Sequence, residues 1–198
     1  MINRVIPVYY QLLLDCSYSM EPIWEKIQSQ VGAHFNRLQE EFRAQSGADS
    51  IGLFRLISIP APMEFPPYSS SLDPLLLHLN QIIPSGRSDL SDIIVRLLLQ
   101  IQEENENSPL KKSPYLMVVI TDGWENGSYF KPSKVMEYLE GLQQHVYIEL
   151  WIIGPEHHLD FGTKRLTLIG LDRQILVEED LECCFQEVEN QLKKITQD

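Results

Sequence analysis

Along this chain, continuous apolar runs of strand length alternate with stretches in which apolar residues recur every three or four positions. The run VIPVYYQLLL (5–14) is apolar almost throughout, as expected of a strand covered on both faces. Over 22–43, Ile23, Ile27, Val31, Phe35, Leu38 and Phe42 fall on one helical face, and Pro22 suits a first helical turn. SIGLFRLISI (50–59) predicts a second strand. The stretch after it, PAPMEFPPYSSSLDP, is rich in proline and serine and holds at most an edge strand. A short helix is expected over 73–82, and another from near Asp89 through LSDIIVRLLLQIQEE. ENENSPLKKSP (104–114) reads as a polar surface loop, and YLMVVIT (115–121) as the third buried strand. KPSKVMEYLEGLQQH (131–145) predicts an amphipathic helix, followed by the strand VYIELWIIG (146–154). A short strand, QILVEE, and a last helix over roughly 180–195 end the pattern, with Leu181, Phe185, Val188, Leu192 and Ile195 in one stripe.

Buried runs separated by amphipathic helices predict parallel strands with helical crossovers, an open doubly wound α/β sheet. The 198 residues form one domain, 1–198, because no repeat, low-complexity segment or linker divides them. A formal net charge of -12 repels phosphate backbones and excludes a sequence-nonspecific nucleic-acid binder. The first apolar run is too short to span a bilayer, and no small-residue cleavage site follows it, so neither a membrane anchor nor a signal peptide is expected. The chain has three cysteines, Cys16, Cys183 and Cys184, an odd count with two adjacent, which makes a poor disulfide framework. A reducing cytoplasm is the expected setting.

In open α/β sheets ligands sit beyond the carboxyl ends of strands, so the residues after each buried run carry the candidate chemistry. The first strand leads into DCSYSM, where Asp15, Ser17 and Ser19 form D-x-S-x-S. The third leads into TDGWENG, with Thr121, Asp122 and Gly123, and between them SGRSDLSD places Gly86, Ser88 and Asp89 at a helix start. Asp15, Ser17, Ser19, Ser88 and Asp122 offer only hard oxygen ligands, suited to Mg²⁺, Mn²⁺ or Ca²⁺ and poorly matched to zinc. Alternating residues of an extended loop face one side, so Asp15, Ser17 and Ser19 can converge on a point that Ser88 and Asp122 reach from neighbouring loops. With so few carboxylates around it, an ion there keeps positive charge and can accept a further anion.

D-x-S-x-S after the first strand, G-x-S/T-D/N-L before a helix and T-D-G after a later buried strand together resemble the metal-ion-dependent adhesion site of von Willebrand factor A (vWA) domains. The D-x-S-x-S element alone is a weak signal; all three in order and in strand-to-loop context are much stronger. The resemblance spans nearly the whole chain. It implies a Rossmann-like fold, a doubly wound, mostly parallel six-stranded sheet with helices on both faces. It also implies that Asp15, Ser17, Ser19, Ser88 and Asp122 surround a divalent ion whose last position goes to a partner's glutamate or aspartate. The opening is also similar to the P-V-Y-x-L-L-D of small bacterial proteins of the tellurite-resistance type. Ser88 stands where threonine is more usual, and Tyr18 and Arg87 where glycine is frequent. Tyr18 would add bulk beside the ligands, and Arg87 would either weaken the ion or steady the partner's carboxylate.

Other residues read more plainly. Asp89 is expected to cap the helix that follows it, and Asp92, Glu21 and Glu125 to be solvated. Adjacent histidines such as His157 and His158 point apart, so they read as surface loop rather than as a zinc site. Cys183 and Cys184 read as one exposed and one buried helix residue, and Cys16 as a variable position of the metal loop. Trp124 and Tyr129 are either interface anchors or core. The segment around Pro60–Tyr68 reads as a possible interaction edge. The functional expectation is a non-enzymatic binding module, since the motif segments contain no histidine, no G-x-S-x-G elbow and no Walker-type loop. The competing readings are a metal-assisted hydrolase acting on phosphate esters, and a scaffold with a decayed metal site. The hydrolase is disfavoured because Ser17 stands where such enzymes need a second acidic residue.

Overall fold

The computed structural model describes residues 7–44, 52–61, 63–107, 113–122, 127–155, 167–171 and 178–197. Four long strands form one parallel sheet: β1 (Val8–Asp15), β2 (Gly52–Ile59), β3 (Tyr115–Ile120) and β4 (Ile148–Pro155). A shorter strand, β5 (Thr167–Leu171), adds to β4, giving the order β2-β1-β3-β4-β5. The helices are α1 (Trp24–Ala44), α2 (Asp73–Leu79), α3 (Leu90–Asn107), α4 (Pro132–Gln143) and α5 (Glu178–Gln197).

Alternation along each strand divides the core into two apolar layers. Leu12 and Leu14 of β1 join Leu116 and Val118 of β3, Ile27 and Phe35 of α1 and Phe185 of α5. Leu13 of β1 joins Met117 and Val119 of β3, Ile94 and Leu98 of α3 and Leu139 of α4. Both faces of the sheet are therefore covered, which is why its strands read as unbroken apolar runs.

The element pattern agrees with the expected one apart from several boundaries. Pro22 lies in a short 3-10 helix, Tyr18–Ile23, ahead of α1 rather than in its first turn. In α1, Ile27, Val31, Phe35 and Leu38 are buried as expected and Ile23 partly so, while the side chain of Phe42 lies outside the description. Helix α3 runs on to Asn107, so the polar loop is shorter than its sequence implied. The expected six strands are five among the described residues, and β5 was not anticipated. Of the expected strand QILVEE, residues 174–177 lie outside the described residues and Glu178 and Glu179 instead open α5. Among the described residues the proline-rich stretch contributes one antiparallel bridge, between Phe54 and Ser69. Its Phe65 and Tyr68 close over the buried Arg55 of β2, whose guanidinium carbon lies 4.1 Å from the Tyr68 ring centre. Arg55 Nη2 also donates to Gln11 Oε1 at 2.6 Å and to the Tyr68 hydroxyl at 3.1 Å.

A buried polar chain ties the first helix to the last. His34 of α1 meets the Tyr10 hydroxyl through Nε2 at 2.9 Å and Glu189 Oε1 of α5 through Nδ1 at 2.8 Å. Arg37 Nε donates to the same Glu189 oxygen at 3.0 Å, and the His34 ring stacks on Phe185 at 4.2 Å. Burial lowers the His34 pKa from its usual 6.5, outweighing the opposing pull of Glu189. Glu189 is also lowered, from 4.5, because His34 and Arg37 outweigh its burial. In both groups the unfolded chain binds a proton more readily than the folded one, so both withdraw stability as the pH falls. For His34 the loss begins as the pH drops through 6.5, and for Glu189 it begins below 4.5. A His34→Gln variant keeps hydrogen bonding but not titration, so it should lose less thermal stability than the wild type between about pH 7 and pH 5. Equal losses in the two proteins would show that His34 does not contribute.

Candidate functional site

The chain leaves β1 for β2 on one side and later places β3 on the other, so the order of connections reverses between β1 and β3. Loops at such a switch point part and leave a crevice at the carboxyl ends of the strands. Asp15, the last residue of β1, lies there fully buried. Its Oδ1 accepts the Ser17 backbone N–H at 3.0 Å. Its Oδ2 accepts the hydroxyls of Ser88 at 3.0 Å and Thr121 at 2.8 Å. Ser17 begins the 3-10 helix without a side-chain cap bond, and its hydroxyl instead lies 3.0 Å from that of Ser19.

Backbone contacts hold the contributing loops together. Cys16 N–H donates to Ile59 O at 2.7 Å, and Ser85 N–H donates to Cys16 O at 2.6 Å. Tyr18 N–H reaches Gly86 O at 3.3 Å. Gly86 has φ 78, the left-handed conformation that glycine adopts without strain, and a Cβ there would lie 3.2 Å from Pro60 Cγ. On the other side Gly127 N–H donates to Ser88 O at 2.7 Å, where a Cβ would meet that oxygen at 2.8 Å. Glycine is thus required where the loop after β3 passes the start of α3.

Burial raises the pKa of Asp15, and the charge of Asp122 raises it further, against the Ser17 and Thr121 hydrogen bonds. Asp89 is raised too, by burial first and then by Asp92, with a smaller push from Asp15, and its Oδ1 is buried without a hydrogen-bond partner among the described residues. Among the described residues no group of three or more His, Cys, Asp or Glu side chains is placed to hold a metal. An ion here would depend on the serine hydroxyls beside the carboxylates, and this all-oxygen donor set fits a hard divalent cation.

Asp15, Ser17, Ser19 and Ser88 thus come together in one hydrogen-bonded set. Asp122 is half-buried directly after Thr121, and its charge reaches Asp15. Gly123, Trp124, Glu125, His157 and His158 lie outside the described residues. Asp89 immediately precedes α3 and accepts the Ile93 N–H on its backbone oxygen at 3.1 Å. Cys16 is buried, with its Sγ donating to Leu14 O at 3.1 Å and its pKa raised to about 12, so its thiol is inert. Cys183 is exposed and Cys184 buried, as expected. Glu21 is exposed.

Two contributors were not anticipated. Thr121 was visible within T-D-G, but its bond to Asp15 follows from β1 and β3 being neighbours, which no local pattern encodes. Asp92, expected in solvent, accepts the backbone N–H groups of Tyr129 at 2.9 Å and Phe130 at 2.7 Å. It fastens the loop after β3 to α3, and the i, i+3 spacing from Asp89 was the only sequence sign of a shared helix face.

No protein-family model and no curated protein matches the sequence. Solved structures do match. The PilB minor pilin from Streptococcus sanguinis aligns with a TM-score of 0.60 at 11% identity, over 97% of this chain and 62% of that one. The SpRpn10 VWA domain aligns with a TM-score of 0.55 at 14% identity, over 88% of this chain and 93% of that one. The pilus adhesin SpaC from Lactobacillus rhamnosus GG, in an open conformation, gives 0.62 at 12% identity, over 98% and 30%. The chain thus spans less than two thirds of both pilus proteins. Its fold is vWA-like.

The shared acceptor makes the site testable as a unit. Ser88→Ala and Thr121→Val should each cost about 1.5–3 kcal/mol in urea denaturation, because each removes a hydrogen bond to a buried carboxylate. Together they should cost more than their sum, since Asp15 Oδ2 then has no hydroxyl partner. Additivity within about 0.5 kcal/mol would mean that the two hydroxyls act independently.

Proposed function

We propose that this chain is a metal-dependent protein–protein interaction module. Asp15, Ser17, Ser19, Ser88 and Asp122 would hold a divalent cation, Mg²⁺ with Mn²⁺ or Ca²⁺ as alternatives. A glutamate or aspartate of another protein would complete its shell. The observation that carries this reading is the buried Asp15 carboxylate, raised in pKa and ringed by hydroxyls at the switch point of the sheet.

When bound, the ion supplies the positive charge that draws an anionic side chain. The residues do the rest: the Ser88 and Thr121 hydroxyls fix the rotamer of Asp15, and the 3-10 turn keeps the Ser17 and Ser19 hydroxyls side by side. Hydroxyl donors add no charge, so the ion is not neutralised and stays electrophilic toward a carboxylate. The pilus adhesin among the structural neighbours agrees with a binding role. No helix among the described residues is long and apolar enough to cross a membrane. On the resemblance of its opening to small bacterial tellurite-resistance-type proteins, the module would act in the cytoplasm beside other proteins in a stress response.

In metal-stripped protein, Mg²⁺ at about one hundred times its dissociation constant should stabilise the fold by roughly 2.7 kcal/mol. The rise should saturate and be absent from Asp15→Ala and Asp122→Ala. A flat melting temperature with Mg²⁺, Mn²⁺ and Ca²⁺ alike would overturn the proposal.

A further inference from the structure

Around the candidate site the structure exposes large side chains on backbone that is tightly fixed. Tyr18 lies between Ser17 and Ser19 and is 66% exposed, while its N–H is bonded to Gly86 O. Tyr129 is 88% exposed, yet its N–H and that of Phe130 both donate to the Asp92 carboxylate. Two residues before Tyr129, Gly127 N–H is bonded to Ser88 O, so the ring is presented from a loop fastened to the site itself. Its edge meets Phe130 with ring centres 5.5 Å apart. Arg87, also exposed, directly precedes Ser88.

An aromatic ring left mostly in water on an anchored backbone contributes little to folding. The same ring contributes strongly when a partner covers it, because little chain entropy remains to be lost. Tyrosine and arginine are also the residue types that dominate such contacts. We infer that Tyr18, Arg87 and Tyr129 form a docking rim for a protein segment that presents a carboxylate flanked by apolar side chains. The carboxylate goes to the centre, where Arg87 adds positive charge, and the flanking apolar groups cover the tyrosine rings. This inference rests on the metal-dependent binding proposed above and specifies the partner that such binding would select.

The test uses the full chain loaded with Mn²⁺ and blocked pentapeptides in which a central glutamate is flanked either by leucines or by serines. A third peptide carries glutamine between leucines. Broadening of peptide proton resonances by the bound Mn²⁺ reports binding close to the ion, and the Mn²⁺ affinity is measured alongside. The leucine-flanked glutamate peptide should bind about fivefold tighter than the serine-flanked one, a difference of ~1 kcal/mol. Tyr129→Ser should remove that preference, and the glutamine peptide should not bind. Equal binding of both glutamate peptides, with Mn²⁺ held normally, would overturn the rim while leaving the metal site standing. A preference that persists in both Tyr129→Ser and Tyr18→Ser would also overturn it. Failure to bind Mn²⁺ at all would overturn both the rim and the metal site.

Discussion

A carboxylate taken out of water must be compensated, and much of the arrangement at the carboxyl end of this sheet follows from that requirement at Asp15. Its oxygens draw in one backbone N–H from their own loop, one hydroxyl from the start of α3 and one from the end of β3. Three segments far apart in sequence are thereby brought to one point. These contacts still leave the charge undercompensated, as the raised pKa shows, and Asp122 adds to the deficit. The buried carboxylate therefore keeps a demand for a proton or another positive partner that its hydrogen bonds do not meet.

The loops can meet this demand because the sheet beneath them is buried on both faces and parallel throughout. β1 and β3 are adjacent and in register from Tyr9–Tyr115 to Leu14–Ile120, so Asp15 and Thr121 emerge side by side. Glycine then supplies the left-handed turn at Gly86 and the close approach of Gly127 to the Ser88 carbonyl, which a side chain would push apart. On the other side of the sheet the Tyr10–His34–Glu189 chain does a comparable job for α1 and α5, with the difference that its charges are paired within the protein.

The long buried strands and amphipathic helices were legible because their signal is local: apolar runs for β1 to β4, and three-to-four spacing for α1, α3, α4 and α5. The clustering of Asp15, Ser17, Ser19 and Ser88 was legible because they follow predicted strands or open a predicted helix. The short β5, TLIGL, was missed because so few residues carry no periodicity that separates strand from loop. Asp92 was misread for another reason. An aspartate on the first turn of a helix looks solvated until the topology brings a second loop, here Tyr129 and Phe130, across it. Thr121 needed strand adjacency in the same way. What stayed hidden was pairing between distant segments, which depends on tertiary order rather than on local composition.

The proline-rich stretch after β2 has a consequence of a different kind. Among the described residues β2 is the outermost strand on its side, and an outermost strand offers bare amides and carbonyls on which a neighbouring molecule can extend the sheet. Here Ser69 takes both backbone positions of Phe54, while Phe65 and Tyr68 are held over Arg55 by ring stacking and a hydroxyl bond. Prolines such as Pro66 and Pro67 have no amide hydrogen to pass on, so the strap cannot itself serve as a new template. The segment thus blocks edge-to-edge growth at Phe54, and its Ala61 and Phe65 pack against the core while it does so.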